Sequence, residues 1–151
     1  MGTEVIVRLT ALVLLALLVA DRSLFGQQAP AAADQPASAG KALDGRQDDL
    51  AEREMLVARW YLGRHDYTGA LNRLKIVVVH HRASRHVEEA LAHLTEAYLA
   101  VGVVQEAQTV AAVLGRKFPD SRWYAKAYEL LKSAGLEPHE DEISGIARLF
   151  K

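Results

Sequence analysis

Two stretches of this chain, residues 54–82 and 91–119, follow one pattern with a period of 37 residues. Tyr61, Ala70 and Leu74 of the first stretch fall where Tyr98, Ala107 and Ala111 fall in the second. Large and small apolar residues at these offsets let two antiparallel helices lie close together. A two-helix unit of this length cannot bury its apolar face alone, so copies must stack on one another. Stacks of this kind form a curved array that contacts other molecules through its surface. The repeat therefore directs the chain toward binding rather than catalysis.

The apolar period supplies the individual elements. A helix over about residues 48–62 carries Leu50, Met55, Ala58, Tyr61 and Leu62. A second, over about 67–81, carries Tyr67, Ala70, Leu71, Leu74, Val77 and Val78. The β-branched run Ile76-Val77-Val78-Val79 would suit a strand, but the spacing before it and the repeat decide for helix. A third helix, about 86–101, carries Ala90, Leu91, Leu94, Ala97 and Tyr98. A fourth, about 104–117, carries Ala107, Val110, Ala111 and Leu114, and a fifth, about 122–134, carries Tyr124, Ala127, Tyr128 and Leu131. Asp66 and Ser84 are placed to cap the second and third helices. Gly102 and Gly135 close the third and fifth, and Pro119-Asp120-Ser121 separates the fourth from the fifth. His65 stands at the inter-helix turn where glycine is usual. Either His65 takes a positive φ or the helix end shifts to Gly63. After a polar break at 137–142, residues 143–150 form a short terminal helix with Ile146, Leu149 and Phe150 on one side.

The expected fold is all-α. It is a tetratricopeptide-like helical solenoid of about five helices, two and a half repeats, plus a short C-terminal helix. An incomplete stack leaves apolar surface at its edge. Val57 and Trp60 point away from the Ala58–Tyr61 stripe, and an exposed patch of this composition marks a partner-binding surface.

Three segments follow from composition. Residues 48–151 are the helical domain. Residues 26–47, rich in Gln, Ala, Pro, Ser and Gly, carry no clear period and are expected to be a flexible linker. Residues 1–25 are signal-like: Arg8 precedes an uncharged apolar run over 9–20, too short for the roughly 20 residues that span a bilayer. Export to the periplasm is the expectation. The net charge of −1, from 18 basic and 19 acidic residues, offers no basic stripe for nucleic acid. The chain has no cysteine, which excludes disulfides, cysteine–zinc sites, thiol catalysis and thioether lipidation.

No catalytic or metal set emerges. His80 and His81 face different sides of one helix. His86 and His93 are seven residues apart, with no carboxylate completing a ligand set. They are expected to face solvent. Glu52, Glu54, Glu88, Glu89 and Glu96 are read as exposed acids forming local pairs such as Glu89–His93. No serine lies in a nucleophile elbow. No cofactor is expected, and an enzyme is disfavoured.

The run Glu54-Met55-Leu56-Val57-Ala58-Arg59-Trp60-Tyr61 resembles the BamD family of outer-membrane assembly lipoproteins, which reads Glu-Met-x-Val-Ala-Arg-Tyr-Tyr there. Ala70-Leu71-Asn72-Arg73, Val87-Glu88-Glu89-Ala90-Leu91, Glu96-Ala97-Tyr98 and Phe118-Pro119-Asp120-Ser121-x-Trp123-Tyr124 continue the match. It covers residues 43–151 and corresponds to the carboxyl-terminal half of the family. The family's lipobox cysteine and amino-terminal repeats have no counterpart in this sequence. The resemblance implies a periplasmic scaffold, held at the outer membrane through its partners, that bridges subunits of the machinery inserting β-barrel proteins. The resemblance further implies docking to the POTRA region of a BamA-type barrel protein and to other assembly subunits. Asn72 and Arg73 match an Asn-Arg pair near that contact, and Arg73 lies off the Ala70–Leu74–Val77 stripe, so its guanidinium can reach a partner carboxylate. A second class of function is a periplasmic adaptor for envelope or cell-division proteins.

Overall fold

The computed structural model of the chain describes residues 35–139, 141 and 144–151. Its contacts divide the chain after Ser38, and nearly all the described residues belong to the unit Ala39–Lys151. Among the described residues there are six helices and no strand. They are α1 (Gln35–Gly63), α2 (Tyr67–His80), α3 (Val87–Ala100), α4 (Val104–Lys117), α5 (Arg122–Ser133) and α6 (Gly145–Leu149). Helices α1 and α2 make the first pair, α3 and α4 the second, and α5 opens a third. The signal-like segment lies outside the described residues, as does the expected linker up to residue 34.

One boundary expected from the sequence is wrong. Residues 35–47, expected as linker, are helical and continue into the first repeat as one 29-residue helix. Pro36 sits in the first turn, where a missing N–H costs nothing. After it, Ala, Lys, Leu, Arg and Gln outnumber the two glycines, Gly40 and Gly45. The packed turns from Ala51 onward supply the nucleus, and extending a helix from an existing nucleus is cheap. Composition alone does not register that the nucleus is next door.

The turns behave as the residue types require. Asp66 Oδ1 accepts the Gly69 N–H at 2.9 Å and Ser121 Oγ accepts the Trp123 N–H at 3.1 Å, each capping the helix that follows. Both possibilities at the first turn are realised, because α1 ends at Gly63 and His65 still takes φ +59°. Gly102 and Gly135 adopt φ +79° and +72°, a region closed to most side chains. Ser84 does not cap α3. The N-cap is His86, and Ser84 Oγ accepts the His86 N–H at 3.2 Å inside the preceding turn.

The core runs between the two layers of helices. Met55, Leu74, Val77, Val78, Leu91, Leu94, Leu114 and Leu131 are wholly buried. So are Ala58, Ala70, Ala90, Ala97, Ala107 and Ala111, whose small side chains allow close approach. Val77 and Val78 of the β-branched run thus enter the core from a helix, while Val79 is exposed. Helix α3 packs against α2, α4 and α5. Helix α6 lies on α4, burying Ile146, Ala147 and Phe150. Its last carbonyls are met by arginines: Arg82 Nη1 donates to Leu149 O at 2.9 Å and Arg116 Nη1 to Phe150 O at 3.2 Å.

Tyr124 lies over the bare backbone of α4 at Gly115, where an added Cβ would fall 2.5 Å from the ring. Gly115→Ala gains about 1 kcal/mol in helix propensity, yet it must displace Tyr124, so urea unfolding should show a net loss. Leu74→Ala empties a fully buried site and should cost about 2–5 kcal/mol in the same measurement.

Candidate partner-binding surfaces

Val57 and Trp60 are held on the outer side of α1 because the opposite side, Ala51, Met55 and Ala58, is packed into the core. They are 39% and 54% exposed. The Trp60 ring meets Tyr61 edge-on at 5.0 Å, and the Arg64 guanidinium sits 4.3 Å above it. Leu50 and Leu56 are exposed beside them.

Asn72 is exposed on α2. Arg73 is not the freely projecting group expected of it. Its Nη1 donates to Glu54 Oε2 at 3.4 Å, so the side chain leans back onto α1. A guanidinium has five N–H donors, and 42% of this side chain remains exposed. Arg73 can therefore hold Glu54 and still meet a second acceptor. Glu54 is one helical turn before Val57, so the two predicted surfaces adjoin along the α1–α2 seam.

The larger polar feature was absent from the sequence reading. Arg59 on α1 forks onto Glu89 of α3, Nε to Oε1 at 2.7 Å and Nη2 to Oε2 at 2.9 Å. Its Nη1 also donates to Glu52 at 3.1 Å. Glu89 Oε1 lies 3.7 Å from His93 Nε2, and His93 Nδ1 lies 3.0 Å from Glu96. The His93 ring tilts against Trp123 of α5 at 5.6 Å. One chain of contacts thus joins α1, α3 and α5. The Glu89–His93 pair was legible from its i,i+4 spacing. The Arg59–Glu89 fork, thirty residues apart, was not.

Two expectations fall with it. Glu89 and Glu52 are not freely exposed acids: the Glu89 side chain is only 14% exposed. Nor do His86 and His93 face solvent, being 11% and 22% exposed at the side chain. His86 Nε2 lies 3.2 Å from Glu52 Oε2. The reason is that Arg59 and Glu52 of α1 reach to Glu89 and His86 and cover this face.

The charges respond accordingly. Burial pushes the Glu89 carboxyl up, but the Arg59 hydrogen bonds and charge outweigh it and hold it below its ordinary value. Arg59 is correspondingly raised, first by its hydrogen bond to Glu89. Glu96 is lowered by its hydrogen bond to His93. Asp48 is lowered by accepting the Arg85 backbone N–H, which ties α1 to the turn before α3. These groups form a clamp between helices in which Glu52 Oε2 alone is buried without a hydrogen-bond partner among the described residues, and no nucleophile stands among them.

Paired helices with a 37-residue period and a shared core define a tetratricopeptide-like helical repeat protein. The chain belongs to the YfiO family, described as outer membrane lipoprotein, whose model matches residues 36–114. It is 42% identical over 106 residues to the outer membrane protein assembly factor BamD of Caulobacter vibrioides, covering 70% of this chain and 35% of that protein. The BamD of Rickettsia prowazekii is 38% identical over 86 residues, 57% of this chain and 34% of the relative. The BamD of Neisseria gonorrhoeae is 38% identical over 82 residues, 54% and 31%. The chain spans about a third of the length of these curated relatives. The relatives are named as outer membrane protein assembly factors. No solved structure matches the chain. Among the described residues, no helix is long and apolar enough to cross a membrane.

The lowered Glu89 carboxyl fixes the sign of a pH effect. Its stabilisation is present above the ordinary value of 4.5 and is lost as pH falls through the lower folded value. Glu89→Gln should cost about 1–3 kcal/mol at neutral pH. The gap between wild type and variant should close on acidification below 4.5, as followed by denaturant melts across pH.

Proposed function

We propose that this chain is a non-enzymatic scaffold in the assembly and insertion of β-barrel proteins at the outer membrane. It works in the periplasm and bridges subunits of the assembly machinery, reaching the membrane through them. The observation that carries the reading is the family match over residues 36–114, which coincides with the helices that present Val57, Trp60, Asn72 and Arg73. The partner is the POTRA region of a BamA-type barrel protein. The mechanism is shape and charge. A rigid pair of helices offers an aromatic anchor and a partly free guanidinium, the residue types that dominate interface energies, and no bond is made or broken.

Arg73→Glu replaces attraction with like-charge repulsion at the interface and should weaken binding to a purified POTRA domain severalfold or more. The internal pair with Glu54 is half exposed and contributes only about 0–1 kcal/mol, so the thermal melt should move little. Glu54→Gln removes the same internal pair and keeps the arginine. It should leave POTRA affinity unchanged. Equal affinity for wild type and Arg73→Glu, with both folded, removes Arg73 from the interface.

A further inference from the structure

The outer face of α1 carries a second pattern that the core stripe does not use. Leu43, Leu50 and Val57 recur every seven residues, and Arg46, Arg53 and Trp60 fall between them, continued by Arg64. The spacing is 3-4-3-4-3-4, the spacing of a seam along which two helices wind together. All of these residues are exposed, Leu43 at 59%. The seam starts inside the segment that composition assigned to a linker, and it exists as one face only because α1 is continuous from Gln35 to Gly63. It runs about 32 Å along the helix axis.

The charge on this face is one-sided. Arg46 and Arg53 make no ion pair among the described residues, and Arg64 rests on the Trp60 ring. The acids of α1 that would answer them are committed elsewhere: Glu52 to Arg59, Glu54 to Arg73 and Asp48 to Arg85. Asp44 and Asp49 are the acids of α1 left without an ion pair among the described residues, and of these Asp49 falls beside the arginine row. We propose that this face docks an amphipathic helix of a partner protein, with apolar residues seated on Leu43, Leu50, Val57 and Trp60 and carboxylates facing Arg46, Arg53 and Arg64. A second copy of this chain does not fit, because it would set arginine rows against each other without acids between them. A lipid surface fits poorly, because the arginines stand inside the apolar row, whereas a helix lying on a membrane segregates charge from its apolar face. The inference rests on the reading that the α1 face takes a protein partner, and adds the chemistry of that partner.

The test uses the full chain and labelled synthetic helices of about three heptads. They share leucines at the seam and carry Glu, Gln or Lys at the positions facing the arginines. Fluorescence anisotropy should rank them Glu, then Gln, then Lys, with about tenfold or more between the extremes and weakening as salt rises. The double variant Arg46→Glu/Arg53→Glu, altered only at exposed positions, should keep its circular dichroism melt and invert the ranking. Three outcomes overturn the inference. One is equal affinity for the three peptides. A second is binding to phosphatidylglycerol vesicles in place of peptides. The third is a dimer, or an internal cross-link to residues 1–34, that occupies the face. Failure of POTRA binding in every form of the chain would remove the machinery assignment and leave this charge ranking standing. A missing ranking would remove this inference and leave the Arg73 result standing.

Discussion

Helix α3 is covered on several sides, and the rest of the molecule is arranged to cover it. It packs against α2, α4 and α5 and is tied to α1 through Glu89. Eight of its 14 residues are buried, which leaves few positions where a polar side chain can stay in water. Thr95 bends its hydroxyl to the Leu91 carbonyl at 3.1 Å. Glu89, His93 and Glu96 find one another, Arg59 and Trp123. A buried charge without a partner is costly, so the same packing that buries α3 fixes which residues of α1 and α5 must stand opposite it.

This settles where binding chemistry is available. Several arginines are engaged within the fold whether half-buried or exposed: Arg59 by two carboxylates, Arg82 and Arg116 by the carbonyls at the end of α6. Arginines that face outward on α1 have no such obligations, and Arg73, at the seam between α1 and α2, is half engaged. Ion pairs thus join α1 to α2 and α3, while Arg46 and Arg53 on the outer face of α1 make none among the described residues.

The relatives bear on the same point. This chain corresponds to about a third of their length, and a solenoid is stabilised by contacts between neighbouring units.

Much of the fold was legible in the sequence because the governing interactions are local. The 3.6-residue period located α2 to α5 to within a residue or two, and Asp66, Gly102, Ser121 and Gly135 marked their ends through capping and backbone freedom. The exposure of Val57 and Trp60 was legible too, since a helix that buries Ala58 and Met55 must turn them outward. Three things were decided only by tertiary structure. The start of α1 depended on a neighbouring packed nucleus rather than on its own composition. The direction of Arg73 depended on Glu54, nineteen residues away on another helix. The histidine and glutamate environments depended on Arg59 and Glu52 of α1 reaching Glu89 and His86, which turned residues that read as a solvated face into a clamp. Period and caps act over a few residues and so are written in the chain. Burial and ion pairing across thirty residues are set by how helices meet.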